Sequence, residues 1–183
     1  MKGVYVFLAD GFEEIEALTP VDICRRAGVE VTTVSIKSDK TVISSHNIPV
    51  TADRLFEEVD YDGMDMLLIP GGGEGTKNLE SCDKLNKLLK EADAKGKLLS
   101  AICAGPRVLG KLGLLNGHKA TCYPGNEEFL TGATCLPEQV VCDGRFITAI
   151  GMGASLDFGL AVARALTDEE TVKDVAGKIQ YRK

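Results

Sequence analysis

Hydrophobic residues in this chain fall into short unbroken runs, joined by glycine-rich turns to longer stretches with helical spacing. Residues 3–9, Gly-Val-Tyr-Val-Phe-Leu-Ala, are apolar and rich in β-formers, which predicts a strand buried on both faces, as in parallel sheets. After an acidic turn, Ile15, Leu18, Val21, Asp22 and Ile23 recur at near-helical spacing until Ala27-Gly28. Gly28 suits the left-handed position that closes a helix, and Pro20 predicts a bend inside it. Residues 29–36 alternate as a second strand, 41–52 read as a hairpin-like excursion, and Asp53 opens a brief helical turn. Residues 64–69 form another buried strand, ended by Pro70-Gly71-Gly72-Gly73. Residues 83–94 place Leu85, Leu88, Leu89 and Ala92 on one helical stripe. A strand at 98–102 then runs directly into a helix over about 105–112. A strand near 120–122, a strand pair around Asp143-Gly144 and a helix over 155–166 after Gly151-Met152-Gly153 continue the alternation.

Strand and helix in turn, with short glycine-rich joins, predict an α/β class: a doubly wound, mostly parallel sheet sandwiched between helices. Asp143-Gly144 between apolar runs adds a small antiparallel piece. With 183 residues, no internal repeat and no low-complexity linker, residues 1–183 are expected to form a single domain. In such folds the loops after the carboxyl ends of parallel strands face one crevice, where ligands bind. Residues 10–16, 70–75 and 102–106 supply three such loops.

Charge narrows the partners. Lys+Arg 21 against Asp+Glu 27 gives a net charge of -6, and no stretch gathers enough Lys and Arg to track a phosphate backbone, so nucleic acid is not expected. The run from Val4 to Ala9 stops at Asp10, too short for a secretory signal, and no run approaches the roughly 20 apolar residues of a membrane helix. A cytoplasmic location is expected. Six cysteines, at 24, 82, 103, 122, 135 and 142, show no C-x-x-C and no close pairing, which fits a reducing compartment. His46 and His118 stand far from ligand spacing to any cysteine, so no metal site is expected.

The chemistry concentrates at Cys103. It follows the strand at 98–102 and opens a helix, with Ala101 and Gly105 as small neighbours that a tight nucleophile turn requires. A helix N-terminus there favours the thiolate; an inert cysteine at a strand end is the alternative. Glu13 and Glu14 complement the helix dipole. Glu16 lies within the stripe of Ile15, Leu18 and Thr19, which aims it at the crevice, where burial keeps a carboxyl protonated. Gly71-Gly72-Gly73-Glu74-Gly75 matches neither phosphate-loop pattern and serves as amide donors beside Cys103 or as a tight turn. Gly151 lies near the same rim, in a helix-entry turn. A histidine close to the thiol, which a cysteine hydrolase needs, is not indicated: both histidines read as surface residues, His118 at the far end of the sheet.

Ala101-Ile102-Cys103-Ala104-Gly105-Pro106, with Pro70-Gly71-Gly72 upstream and Glu13-Glu14-Ile15-Glu16 near the start, resembles the ThiJ/PfpI superfamily. Pro20-Val21-Asp22, Arg25-Arg26-Ala27-Gly28 and residues 151–160 extend the similarity over nearly the whole chain, toward the branch of the parkinsonism-associated protein deglycase and its bacterial relatives. The resemblance implies a flavodoxin-like sandwich, a homodimer, and no cofactor. It implies Cys103 as an oxidation-prone nucleophile with Glu16 as its protonated partner, and an anion pocket from the amides of Gly71, Gly72 and Ala104, lined by Tyr123, Pro124 and Gly151. The activity it implies is cysteine-dependent detoxification of α-oxoaldehydes such as methylglyoxal and glyoxal, or of their protein adducts, of the glyoxalase III or deglycase type. A redox sensor or holdase chaperone using the same cysteine is the alternative, and a peptidase or amidase ranks last. Five positions depart from the pattern: Ala104 stands where superfamily hydrolases carry a histidine, and Tyr123 where the residue before the pocket proline is often His. Ala149-Ile150 replaces a serine-arginine pair of the human relative, and Ser44 matches an interface cysteine of that relative.

Overall fold

The first apolar run becomes the middle of the sheet. In the computed structural model, which describes residues 3–63 and 65–182, the chain begins with β1 (Gly3–Leu8), α1 (Glu14–Arg26) and β2 (Glu30–Ser35). The hairpin of β3 (Thr41–Ile43) and β4 (Pro49–Thr51) precedes β5 (Arg54–Leu55), β6 (Met66–Ile69), α2 (Gly73–Glu80) and α3 (Asp83–Ala94). Then come β7 (Leu98–Ile102), α4 (Pro106–Lys111), β8 (Lys119–Ala120), β9 (Thr134–Cys135), β10 (Val140–Asp143), β11 (Phe146–Ala149), α5 (Ser155–Leu166) and α6 (Glu169–Lys178). Met64, where the third buried strand was expected to start, lies outside the described residues. No helix of the described residues is long and apolar enough to cross a membrane.

Seven strands form one sheet in the order β10-β11-β7-β6-β1-β2-β5. All its pairings are parallel except β10 with β11, the antiparallel addition expected at Asp143-Gly144. The chain winds from β1 outward to β2, then returns to place β6 on the other side of β1. Crossovers leave β1 and β6 in opposite directions, so their carboxyl ends open a crevice at this switch point.

The continuous hydrophobicity of β1 has a direct cause. Val4, Val6 and Leu8 pack into a core with Ala17, Val21 and Ile23 of α1 and Phe158 and Val162 of α5. Phe7 and Ala9 face the opposite core, with Leu79 of α2, Leu85 and Leu89 of α3 and Val108 and Leu109 of α4. Each fully buried Val, Leu or Phe contributes about 1.5–3 kcal/mol, so both faces of this strand are committed. Helices α1 and α5 approach closely at Gly159, where a Cβ would sit 2.6 Å from Ile23 Cδ1.

Several expectations are corrected. Helix α1 runs unbroken through Pro20, and its buried face is Glu14, Glu16, Ala17, Pro20, Val21, Ile23 and Cys24. Ile15 and Leu18 are 48% and 36% exposed, so the stripe of large apolar residues is not the packing face. The bare backbone of Gly159, where a Cβ would lie 3.2 Å from Pro20 Cα, is what lets α5 come close. Gly73–Glu80 is a helix, α2, where glycines with poor helix propensity suggest only a turn. Strand β5 extends the main sheet, the helical turn starts after it at Phe56–Glu58, and β8 ends at Ala120 in a separate parallel pair with β9.

Candidate active site

Cys103 is the first residue beyond β7, and its φ of +62° lies in the left-handed region that costs a non-glycine residue about 1–3 kcal/mol. Neighbouring strands hold the strain. The Cys103 amide donates to the Ala149 carbonyl at 2.9 Å, and its own carbonyl accepts from the Tyr123 amide at 2.8 Å. Gly105 completes the turn because a Cβ there would lie 2.6 Å from the Ile69 carbonyl oxygen and 2.9 Å from that of Pro70. The side chain of Cys103 is partly buried, within reach of solvent.

Glu16 enters from the first turn of α1. The Glu13 carboxylate caps this helix by accepting the Glu16 amide at 2.7 Å, while the Glu13 amide donates to the Gly71 carbonyl at 3.0 Å. That pair of bonds ties the start of α1 to the loop after β6 and leaves Glu16 only 1% exposed. Gly71 stands between acid and thiol: a Cβ built on it would lie 2.2 Å from Glu16 Oε2 and 2.7 Å from Cys103 Cβ. Gly72, at φ +94°, passes so close to Gly11 that a Cβ would meet its carbonyl oxygen at 2.2 Å. Two bare backbone positions therefore let the carboxyl meet the sulfur. Gly71→Ala is expected to force the Glu16 carboxyl away from Cys103 and to cost about 1–3 kcal/mol of stability through overpacking. A denaturant titration, with a crystal structure of the variant, checks both.

Burial dominates the electrostatics of the pair. Glu16 is pushed up to about 7, chiefly by burial, with the Glu13 charge adding to it, while the Cys103 thiol and the amides of Gly71 and Met152 pull down. Its Oε2 has no partner of good hydrogen-bond geometry among the described residues, which favours the protonated form. Cys103 is pushed up to about 12 by burial first, then by the charge and hydrogen bond of Glu16, against the amides of Ala104 and Gly72. The helix N-terminus expected to favour the thiolate does supply two amides that face the sulfur, while burial and the adjacent carboxylate push the other way. Burial and the facing charge thus oppose ionisation of both groups, and moving a proton from the sulfur to the carboxylate produces a thiolate beside a neutral acid.

Gly151 borders the sulfur from the loop after β11; a Cβ there would lie 3.9 Å from Sγ, 4.0 Å from Glu16 Oε1 and 3.5 Å from Tyr123 Cδ2. Tyr123 stands exposed on this rim. Pro124 lines a neighbouring cavity of about 200 Å³ with Cys122, Cys135 and Ile150. The roomier surface hollows are elsewhere, one of about 480 Å³ running between Leu18 and Ile179, so backbone geometry and not volume marks the site. His118 pairs with Asp143 and packs on Phe146 at the opposite end of β11. His46 is exposed, and its Nδ1 meets Glu14 Oε1 at 2.8 Å. Glu13, Glu14 and His46 bring ligand atoms within 4.8 Å of one another, but Glu13 is committed to its cap and Glu14 to His46. Sequence reasoning assigned Glu13 only a dipole role; its place three residues before Glu16 is the capping spacing that reveals the rest.

The DJ-1/PfpI family model matches residues 2–165. Protein DJ-1 homolog B of Arabidopsis thaliana is 35% identical over 183 residues, covering 99% of this chain and 42% of that protein, so the chain spans less than half of this relative's length. A deglycase of Pyrococcus abyssi is 31% identical over 148 residues, 80% of this chain and 88% of its own. The solved structure of oxidized DJ-1 from Toxoplasma gondii superposes with a TM-score of 0.95 at 33% identity, covering 100% of both chains.

Proposed function

This chain belongs to the DJ-1/PfpI family, and from that premise we propose that Cys103 and Glu16 carry out a cofactor-free detoxification of α-oxoaldehydes such as methylglyoxal and glyoxal, or of their adducts on proteins. The observation that carries this reading is the buried Glu16 carboxyl set against the strained Cys103 thiol, with only the bare backbone of Gly71 between them. Transfer of that proton to Glu16 frees the sulfur to add to the aldehyde carbon, giving a hemithioacetal whose oxygen takes the proton back. Glu16, again a carboxylate, removes the hydrogen of the former aldehyde carbon and returns it to the adjacent carbon. A thioester results, and water releases a 2-hydroxy acid and the free thiol. One carbon is oxidised and its neighbour reduced, so the stoichiometry closes without an external oxidant. Amides of Gly72 and Ala104, directed at the sulfur, supply donors for the developing oxyanion, with Gly71 giving the loop its close approach. Incubation of the purified chain with methylglyoxal and chiral analysis of the product tests the reading: lactate formation supports it, and its absence overturns it.

A second reading uses the same sulfur as an oxidation sensor or as the switch of a holdase. The two amides and the neutral form of Glu16 offer three donors to a sulfinate, and the Toxoplasma relative has been solved in an oxidized form. Selective uptake of two oxygens under mild peroxide, lost in Cys103→Ser, would support it. Peptide hydrolysis has no such support, because position 104 is alanine and neither histidine hydrogen-bonds Cys103.

Ile15 and Leu18 of α1, Ile43 and Ile48 of the hairpin, and Met152 and Leu156 at the start of α5 are exposed apolar side chains. Leu18 and Leu156 border the same hollow, and the Glu14–His46 bond joins hairpin to helix. This face is where a second copy would dock to make the homodimer, in the reducing cytoplasm that six free cysteines suit. Sedimentation is expected to give a dimer for the wild type and a monomer for Leu18→Glu; a monomeric wild type contradicts it.

A further inference from the structure

Two further thiols, Cys122 and Cys135, line one cavity beyond the Cys103 site. Cys122 follows β8 and Cys135 ends β9. Parallel pairing sets Ala120 opposite Cys135, and the Leu136 amide donates to the Ala120 carbonyl at 2.8 Å. Cys122 lies two residues beyond Ala120, past the end of β8 and diagonal to Cys135, so a bridge between them draws the two segments together. Both line the cavity of about 200 Å³ that holds Pro124, Glu127 and Ile150. Cys122 is buried and Cys135 exposed, so one sulfur is open to an oxidant and the other waits behind it. Burial pushes the Cys122 thiol up to about 12, with the charges of Glu127 and Cys135 adding to it.

We propose that Cys122 and Cys135 form a second redox site, a dithiol that closes to an intramolecular disulfide under peroxide. The exposed Cys135 thiolate attacks a peroxide oxygen, breaking the O–O bond and giving a sulfenic acid and water. The Cys122 thiolate then attacks that sulfur, forming the S–S bond and expelling the second water, so two thiols lose two electrons and two protons to one peroxide. Neither thiol is acidic, since burial raises Cys135 as well. Closure is therefore expected to speed up by about tenfold per pH unit through the neutral range, following the thiolate fraction. The bridge spans the loop that carries Tyr123, whose amide is bonded to the Cys103 carbonyl, and so fixes one wall of the first site.

Cys103→Ser protein is the starting point, which separates this site from the proposed chemistry of Cys103. After hydrogen peroxide treatment, intact mass without reductant is expected to fall by two hydrogens, with a peptide map joining residues 122 and 135. Adding Cys135→Ser, an exposed position that leaves the core intact, is expected to abolish the change. Oxygen gain at either residue without a cross-link, or a cross-link to any other cysteine, overturns the proposal. Hydrogen exchange at the Tyr123 amide is expected to slow by about tenfold in the bridged form; unchanged exchange would remove the link to the first site.

Discussion

Replacing Cys103 with Ala is expected to lower methylglyoxal turnover by about three orders of magnitude or more, the scale on which covalent catalysis fails when its nucleophile is lost. The backbone at this position is held at φ +62° by bonds from Tyr123 and to Ala149, and alanine accepts them equally. The sulfur is only partly buried, so its removal leaves little cavity, and the melting midpoint should move by a few degrees at most. A progress curve for 2-hydroxy acid, run beside a thermal melt, separates lost chemistry from lost fold. Residual turnover near the wild-type level would remove the sulfur from the mechanism.

Glu16→Gln is expected to divide stability from activity. The folded carboxyl is raised to about 7 from its ordinary 4.5, so between those values the folded protein binds more protons than the unfolded chain. Stability contributed by that extra proton is complete below about 4.5 and is lost as pH rises through 7, amounting to about 3 kcal/mol. Glutamine stays neutral at every pH. The variant should therefore match the wild type in acid and exceed it above neutrality, by up to that amount, in urea titrations at several pH values. Turnover should fall by about 10²–10⁴-fold, because no group remains to carry the proton between carbons. Removing the Glu16 charge also removes a cause that raises the thiol, so alkylation of Cys103 should quicken while turnover falls. A variant slow in both, or no more stable at high pH, would show that Glu16 only packs.

Much of this architecture can be read from local pattern. The runs at β1 and β6 are uninterrupted because both faces are covered, β7 is broken only by Ser100, whose buried hydroxyl donates to the Leu67 carbonyl, and the glycines that follow these strands mark turns that approach other backbone. Glu16 illustrates a sound conclusion from a mistaken premise. It was expected in the crevice as part of a stripe with Ile15 and Leu18, yet those residues are exposed and Glu16 is buried with Ala17, Pro20 and Val21. Periodicity counts large apolar residues, whereas α1 buries Glu14, Glu16, Ala17 and Pro20 beside Val21 and Ile23, against a glycine of α5, and local pattern does not show which face that glycine meets. Helix α2 was hidden because Gly73 and Gly75 lower its propensity, while the space that demands Gly75 is set by Phe12, far away in sequence. The forces that oppose the thiol's acidity were hidden for a related reason. A helix N-terminus is visible in sequence, but the burial and the facing carboxylate that act against it come from α1, far away along the chain.

Carbon NMR of the Glu16 carboxyl, titrated in the wild type and in Cys103→Ala, is the most direct test of the shared proton. A midpoint near 7 in the wild type is expected, moved in the variant once the thiol is gone. A carboxyl that titrates near 4.5 in both proteins would mean that no proton is shared, and the proposed chemistry would fall with it.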